Sequence, residues 1–409
     1  MSRIFTGARD LFSATSVNLL GVVLSYLYFA YLANLLAPSD FGVYLLCVAW
    51  AALGTVFVEL ASNQVFAHFA KSVASRSTAI SVFFVLKIAS FSGLTLCLLA
   101  AEYAGFLQHS VLILLLLCSS LHLAPLYEVA RKNTRFALIC LFEKMALFIA
   151  ILSLGDGVQE VAELVYLYCC FSVLAILFQV FDFKREARAF GWPKVEILKR
   201  YLGAYWGFIF TTFFQAGYGH LSRLMVEAKK GPENLAFFAI ALQFIAVAAV
   251  FQTQVDRFFR PLFIEESLEG KPKLSKALLF KYCYLGLLPM AVLTLLLLVF
   301  SEPIIRSIFG SEYSLAADVL QVMSSLCITI CFIRLFDMIF TSISRIDYVL
   351  MTNFFGFVVL LALFFILDYE NELSTFAAMI GLAQCLHILF ALCLLVKGQR
   401  IGLDEKVTK

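Results

Sequence analysis

The sequence is built from apolar runs that are each long enough to cross a lipid bilayer as a helix. The hydrocarbon core of a bilayer is spanned by about 20 predominantly apolar residues. Dividing the chain at charged residues, proline and glycine leaves twelve such runs, at 12–35, 42–66, 79–100, 110–130, 136–154, 162–182, 201–226, 235–255, 278–300, 315–341, 348–367 and 374–396. Each run must be helical, because hydrocarbon offers the backbone no hydrogen-bond partners and the strands of a β-barrel would alternate in character.

The composition agrees with a chain that is solvated by lipid. Of the 409 residues, 62% are hydrophobic and only 14% are charged. A soluble protein averages about 45–50% apolar and about 25% charged residues, so this chain cannot cover its surface with water-compatible side chains. This excludes a cytosolic enzyme, a secreted disulfide scaffold and a disordered regulator. The net charge of +3 is too small to indicate a nucleic acid as partner. We predict an all-α integral membrane protein.

The distribution of positive charge predicts the orientation of the spans. Loops on one side carry 23 Lys and Arg residues and the opposite loops carry 3, and positively charged loops remain in the cytoplasm. Both termini are therefore predicted to be cytoplasmic. The longest polar segment, 184–200, divides the chain into an N-terminal lobe of six spans (1–183) and a C-terminal lobe of six spans (201–396), followed by a cytoplasmic tail (397–409). The two lobes would form a parallel repeat around a central cleft, which is the expected substrate site.

Motifs of catalysis or of cofactor binding do not occur in the sequence. It contains no glycine-rich phosphate loop, no His-Glu-x-x-His helix and no paired carboxylates on a polar loop. Most of the 11 cysteines lie within apolar runs, where cysteine behaves as a small hydrophobic residue. The pairs Cys169–Cys170 and Cys327/Cys331 lack the further ligands of a zinc site. We expect neither an enzyme nor a cofactor or metal site.

Ionisable residues within the spans are the candidates for function. A charge at mid-bilayer costs about 2.5–3.5 kcal/mol, so such a residue usually faces a cavity or a partner. The candidates are the cations Lys87, Lys144, Arg223 and Arg334 and the acids Glu59, Glu128 and Asp337, with His122 and His220 as neutral hydrogen-bonding partners.

Spacing places some of these candidates on common helix faces. Arg334 and Asp337 share a face with Thr341, and His220 and Arg223 are three residues apart. For each residue two interpretations stay open: a side chain that packs or extends to the membrane surface, and one that lines a water-filled cavity. If the four cations converge in the cleft, its positive walls would suit an anionic ligand such as a phosphate or diphosphate.

Several short motifs resemble those of a known family. Residues Ser16–Asn18 open the first span and are followed by Leu32–Tyr44 (LANLLAPSDFGVY), and the later segment Pro303–Tyr313 (PIIRSIFGSEY) precedes Ala316–Leu320. These motifs are similar to the start and to the external turn before span ten of the polysaccharide flippases in the multidrug/oligosaccharidyl-lipid/polysaccharide exporter superfamily. The resemblance extends in topology along essentially the whole chain.

The resemblance implies a flippase that moves a polyprenyl-diphosphate-linked oligosaccharide, such as an O-antigen or capsule repeat unit, across a bacterial inner membrane by alternating access. Basic residues of the cavity would engage the diphosphate, a role for Arg223, Arg334, Lys87 or Lys144. The expected partners are the lipid-linked substrate, a coupling ion (H⁺ or Na⁺), membrane lipids and the glycan polymerase machinery.

Two alternatives stay open from the sequence. One is a multidrug or cation antiporter of the same fold, which a cationic cavity disfavours. The other is a membrane glycan polymerase or ligase, which would need a longer outward loop than the short outward connections here provide.

Overall fold

The structure, a computed structural model, describes residues 2–60, 65–66, 69–70, 76–105, 109–130, 132–154, 160–183, 192–268, 276–343, 345–366 and 372–407. It contains only helices and connecting segments within these ranges. The chain divides into two compact units, Met1–Ala216 (unit 1) and Gly217–Lys409 (unit 2). Of the predicted linker 184–200, residues 184–191 lie outside the described ranges.

The described part of unit 1 contains eight α-helices. They are α1 (Ser2–Leu35), α2 (Pro38–Glu59), α3 (Arg76–Tyr103), α4 (Ser110–Leu117), α5 (Ala124–Val129), α6 (Asn133–Leu154), α7 (Val161–Asp182) and α8 (Val195–Ala216). A 3₁₀ turn, Cys118–Leu121, follows α4. Helix α1 packs along α6, while α2 packs against α4, α3 and α8.

Seven α-helices lie in the described ranges of unit 2. They are α9 (Ser222–Lys230), α10 (Pro232–Leu268), α11 (Lys276–Phe309), α12 (Ser314–Met323), α13 (Leu326–Ser342), α14 (Ile346–Ile366) and α15 (Leu373–Val407). A π-helical segment, Gly217–Leu221, precedes α9, and a 3₁₀ turn, Ser311–Tyr313, precedes α12. Helix α10 packs against α12 and α13, and α14 packs against α15.

Ten helices in the described ranges are long and apolar enough to cross a membrane, and the pair formed by Ser311–Met323 and α13, bent by 45°, would make an eleventh span. The chain is therefore a multi-pass membrane protein in which most predicted spans are helices. The remaining predicted span, 201–226, is also helical, but Gln215, His220 and Arg223 reduce its apolar character. The count of twelve spans and the cytoplasmic termini stay predictions.

Three predicted spans do not follow one straight helix. Span 110–130 is divided between α4, the 3₁₀ turn and α5, and Pro125 near the start of α5 removes one backbone donor. Span 201–226 contains the π-helical segment, and span 315–341 bends between Met323 and Leu326. At that bend the Ser324 carbonyl accepts from the Cys327 N–H at 3.1 Å and also from the Thr294 hydroxyl of α11 at 3.1 Å, so Thr294 ties α11 to the bend.

Glycine allows the π-helical segment to approach α14 closely. A Cβ atom on Gly356 would lie 1.8 Å from the Tyr218 hydroxyl oxygen and 2.7 Å from Nδ1 of His387. A Cβ atom on Gly217 would lie 2.5 Å from the Phe357 ring. All three distances are shorter than any van der Waals contact, so the packing here requires glycine at both positions.

We expect Gly356→Ala to destabilise unit 2 by about 1–3 kcal/mol, because the added methyl group overpacks the contact with Tyr218 and His387. The apparent unfolding temperature of the detergent-solubilised protein measures this loss. Gly93→Ala on α3 is the matched control, since none of the described atoms lies within 4 Å of a Cβ atom there. Equal unfolding temperatures for Gly356→Ala and Gly93→Ala would contradict the prediction.

Candidate functional site

The break in span 110–130 exposes backbone groups that side chains from other spans satisfy. His122 has an extended backbone (ψ 145°), so the helical hydrogen-bond pattern stops there. The Lys87 ammonium of α3 donates to the His122 carbonyl at 2.6 Å, and the Leu123 N–H donates to Oε1 of Gln179 on α7 at 2.7 Å. Unpaired backbone groups are costly in a bilayer, so Lys87 and Gln179 stabilise the break.

The same contacts orient the His122 imidazole. Because Oε1 of Gln179 accepts from Leu123, the Gln179 amide nitrogen must face Nδ1 of His122, and it does so at 2.5 Å. Nδ1 therefore accepts a hydrogen bond and carries no proton in the neutral ring. The proton lies on Nε2, which faces a carboxylate oxygen of Glu143 on α6 at 3.3 Å. We call His122, Gln179, Glu143 and Lys87 the span-4 network.

His122, Cys140 and Glu143 have the residue types of a metal site, and their ligand atoms all lie within 4.8 Å of one another. Metal binding requires a free lone pair on the coordinating nitrogen. Here Nε2 carries the proton, and freeing it would require the Gln179 amide to release Leu123. The donor set therefore fits an imidazole–carboxylate hydrogen bond better than a metal ion.

Two of the predicted site residues, Lys87 and Glu59, line the same small cavity in unit 1. The cavity is bordered by Val58, Glu59, Leu60, Phe66, Phe83, Leu86, Lys87 and Tyr201. Lys87 is only 4% exposed, and its ammonium lies 5.0 Å above the Phe83 ring. Glu59 acts on this ammonium as the nearby opposite charge. The cavity is therefore close to neutral in charge rather than positive.

Lys144 occupies a different position, at the contact of α6 with α1. Its ammonium donates to the Gly21 carbonyl at 3.3 Å, and the Ser25 hydroxyl donates to the same oxygen at 2.8 Å. Lys87 and Lys144, the two lysines of unit 1 among the predicted site residues, thus both bind backbone carbonyls of neighbouring spans.

The arginines of unit 2 differ from these lysines. In the described part of the chain, Arg223 and Arg334 have no carboxylate or hydrogen-bond partner, and the buried Nε of Arg223 and Nδ1 of His220 are both unpaired. Asp337, three residues after Arg334, accepts instead from the Asn353 amide at 3.3 Å. Within the described ranges, no carboxylate therefore holds the guanidinium group of Arg223 or Arg334.

A second polar cluster in unit 2 joins three spans and the π-helical segment. The Tyr218 hydroxyl and Nδ1 of His387 on α15 share a hydrogen bond at 3.3 Å, directly beside Gly356. Asp337 acts electrostatically on the same hydroxyl. His387 is 1% exposed. We call Tyr218, His387, Asp337 and Asn353 the Tyr218 cluster; of these, our sequence analysis named only Asp337.

The residues that the sequence analysis missed carried partial signals. His387 is a single imidazole within the apolar run 374–396, and Gln179 is a single amide within 162–182. Asp256 lies one residue beyond the predicted span 235–255, yet it is buried and accepts from Tyr282 at 2.9 Å and from Gln252 at 3.2 Å. Tyr218 carried no signal that separates it from the other 15 tyrosines.

The predicted convergence of Lys87, Lys144, Arg223 and Arg334 on one cleft involves both units and stays a prediction. Within unit 1, Lys87 and Glu59 lie together, and Lys144 contacts α1. Within unit 2, His220 and Arg223 lie on one segment, and Arg334 and Asp337 lie on α13.

Comparison with solved structures identifies the fold. An inward-facing multidrug resistance MATE family transporter of the MOP superfamily matches with a TM-score of 0.69 and 14% identity, over 97% of this chain and 96% of that chain. The chain has the fold of MOP superfamily transporters. An outward-facing MATE transporter matches with a TM-score of 0.63 and 15% identity, over 98% and 97% of the two chains. The lipid II flippase MurJ, in an inward closed conformation, matches with a TM-score of 0.64 and 13% identity, over 96% and 87%. No family model and no curated protein matches the sequence.

We expect Lys87→Met to destabilise the protein by about 1–3 kcal/mol, because the His122 carbonyl would lose its donor inside the membrane. Lys144→Met is the matched control and should cost less, since Ser25 still donates to Gly21. Unfolding temperatures of both variants in the same detergent measure the difference. The assignment of Lys87 to the break would be wrong if Lys144→Met were the more damaging change.

Proposed function

We propose that the chain is a flippase that moves a polyprenyl-diphosphate-linked oligosaccharide, such as an O-antigen or capsule repeat unit, from the cytoplasmic to the outer leaflet of a bacterial inner membrane. The fold of MOP superfamily transporters supports membrane transport by alternating access, since solved neighbours include both inward-facing and outward-facing states. The similarity to a lipid II flippase supports a lipid-linked substrate. The motifs at Leu32–Tyr44 and Pro303–Tyr313 support a glycan.

The unpaired guanidinium groups of Arg223 and Arg334 are the observation that carries this proposal. A cation in a membrane span without a carboxylate partner carries a cost in free energy. A phosphorylated ligand would offset that cost by pairing with the cation. Arginine suits this task because its planar donor set matches two phosphate oxygens at once. His220, three residues before Arg223, offers a neutral hydrogen-bond partner to the same ligand.

The lysines have secondary roles in this proposal. Lys87 is bound to the His122 carbonyl and faces Glu59, so it contributes little net positive charge to a binding site. Lys144 is bound to Gly21. We therefore propose that Arg223 and Arg334 bind the diphosphate. Lys87, Lys144 and Glu59 instead stabilise the packing of the helices of unit 1.

Transport in this proposal needs no catalytic residue. The substrate changes leaflet without a covalent step, and the driving force would be an ion gradient of H⁺ or Na⁺ or the membrane potential. Asp337 and the other members of the Tyr218 cluster are the groups of unit 2 best placed to respond to an ion, because two hydrogen-bonded pairs, Tyr218–His387 and Asn353–Asp337, lie near each other, and Asp337 acts electrostatically on the Tyr218 hydroxyl.

A multidrug or cation antiporter is the second candidate function, because solved neighbours include multidrug resistance transporters. Such a protein would bind cationic drugs through its intramembrane acids Glu59 and Asp337 rather than through arginines. The two functions therefore predict opposite sensitivities to the loss of acidic and basic side chains.

We expect Arg223→Gln and Arg334→Gln each to reduce the surface display of glycan by about 30-fold in cells whose own flippase is deleted. Removing one partner of a desolvated charge pair costs about 2–5 kcal/mol, and 2 kcal/mol corresponds to about 30-fold. Arg306→Gln is the matched control, since Arg306 is exposed and pairs with Glu302 at 2.8 Å. Membrane levels of all three variants are measured in parallel, and full glycan display in both arginine variants would refute the diphosphate assignment.

Drug susceptibility separates the two candidate functions. Expression of the chain in a strain that lacks its main efflux pumps should leave the minimal inhibitory concentrations of cationic drugs within twofold of the empty vector. A resistance of fourfold or more that is lost in Asp337→Asn and retained in Arg223→Gln would favour the antiporter.

A further inference from the structure

One face of α7 carries a row of polar side chains. Tyr168, Ser172 and Gln179 are spaced at i, i+4 and i+11, so they share one side of the helix. The exposed side chains of Tyr166 and Phe181 lie on the opposite side, which faces lipid. The polar row therefore points into unit 1, where α7 packs against the 3₁₀ turn that follows α4.

Further hydroxyl groups meet this row from three other segments of unit 1. The hydroxyl oxygens of Tyr28 on α1 and Tyr44 on α2 lie 3.3 Å apart, and both tyrosines are close enough to Tyr168 to interact with it electrostatically. Tyr168 shares a hydrogen bond with Ser119 of the 3₁₀ turn. We define the hydroxyl cluster as Tyr28, Tyr44, Ser119, Ser120, Tyr168 and Ser172.

The hydrogen bonds within the hydroxyl cluster are incomplete. Only one hydroxyl of the pair Tyr28 and Tyr44 can donate to the other, and no further acceptor in the described part of the chain bonds either of them. Ser120 and Ser172 are 2% and 0% exposed, and neither Oγ atom has a partner among the described atoms. Unpaired polar groups are costly in hydrocarbon, so these hydroxyls indicate an additional hydrogen-bonding partner.

The depth of the cluster separates it from an interfacial belt of tyrosines. Helices α2 and α7 have 22 residues each, a length of about 33 Å that is close to the thickness of the hydrocarbon core. Tyr44 lies six residues after Pro38 and Tyr168 seven residues after Val161, which places both about 10 Å from the helix ends. Belt tyrosines lie at the level of the headgroups instead.

We propose that the hydroxyl cluster is a carbohydrate-binding site, which forms hydrogen bonds to sugar hydroxyls of the lipid-linked glycan. This inference rests on the proposed function, because that function supplies the glycan. A sugar hydroxyl both donates and accepts, so it can pair with the free tyrosine proton and with the unpaired serine oxygens.

The composition of the cluster favours a neutral ligand over an ion. All its members are uncharged, and the carboxylate that acts on Tyr168, that of Glu143, faces His122 at 3.3 Å. A bound cation would need carboxylate or carbonyl ligands from the cluster itself.

The exposure of its members gives a sugar access to the cluster. Tyr28, Ser119 and Tyr168 are half-buried and keep surface that a ligand can contact directly. The buried hydroxyls of Ser120 and Ser172 reach the ligand through bridging water, which transmits a hydrogen bond at little cost.

Binding of two lipids to the full chain in lipid nanodiscs tests the proposal. One probe is the lipid-linked oligosaccharide extracted from cells whose own flippase is deleted, and the other is the polyprenyl diphosphate without sugar. The ratio of the two Kd values measures the gain in affinity from the sugars. We expect the wild-type chain to bind the sugar-bearing lipid about tenfold more tightly, the effect of one to two hydrogen bonds.

Tyr28→Phe and Tyr168→Phe each remove one hydroxyl and keep the ring. Each should lower the gain from the sugars about fivefold, as expected for one neutral hydrogen bond, and leave the Kd of the sugar-free lipid unchanged. Tyr166→Phe is the matched control, since Tyr166 is 52% exposed on the opposite side of α7. Arg223→Gln should weaken the binding of both lipids and leave their ratio unchanged.

Ser172→Ala tests the buried part of the cluster and does not depend on the folding of the tyrosine variants. Because this hydroxyl has no partner among the described atoms, its removal should not lower the unfolding temperature of the substrate-free chain. The gain from the sugars should nevertheless fall about threefold.

A ratio of Kd values that is the same in Tyr28→Phe, Tyr168→Phe, Ser172→Ala and Tyr166→Phe would overturn the proposal and leave the cluster as a site for water alone. Equal affinity of the wild-type chain for the two lipids would overturn the carbohydrate site and retain the proposed function. If the wild-type chain bound neither lipid, the proposed function and the carbohydrate site would both be wrong.

Discussion

The satisfaction of backbone hydrogen bonds inside hydrocarbon is the constraint on which the rest of this structure depends. It makes helix the only regular structure of the spans, and it means that every departure from a helix must be compensated by side chains. At the break after the 3₁₀ turn, Lys87 and Gln179 bind backbone groups that the helix leaves unpaired, and at the bend after Met323 the Thr294 hydroxyl adds a second donor to the Ser324 carbonyl. The polar residues of the spans are thus placed first of all where the backbone needs them.

This constraint explains why the four intramembrane cations are not equivalent. The two lysines of unit 1 each bind a backbone carbonyl, at His122 and at Gly21. The two arginines of unit 2 have no such partner within the described ranges. A flexible ammonium is well suited to a single carbonyl, whereas a planar guanidinium suits an anion with several oxygens. The chemistry of each side chain thus agrees with the role that we assign to it.

The existence and extent of most spans could be predicted from the sequence, because a helix needs an apolar run of a set length to cross the bilayer. The run 162–182 corresponds to α7 (Val161–Asp182), and the run 348–367 corresponds to α14 (Ile346–Ile366). The breaks could not be predicted in this way. An apolar run continues through them, and the residues that compensate them are far away in sequence, as Lys87 and Gln179 are from His122. The residue types of the candidate site could be predicted, because charged residues within apolar runs are easy to recognise. The residues that each of them contacts could not be predicted. Only the fold shows that Lys87 faces Glu59 and that Tyr218 meets His387.

Gly356 has a consequence for the evolution of the chain. Because a Cβ atom there would lie 1.8 Å from the Tyr218 hydroxyl oxygen and 2.7 Å from the His387 ring, position 356 can gain a side chain only if the side chains at 218 and 387 both give way. The three positions form one volume that must be shared. Homologous sequences should therefore vary at these positions together, with alanine or serine at 356 accompanied by phenylalanine at 218 and by a smaller residue at 387.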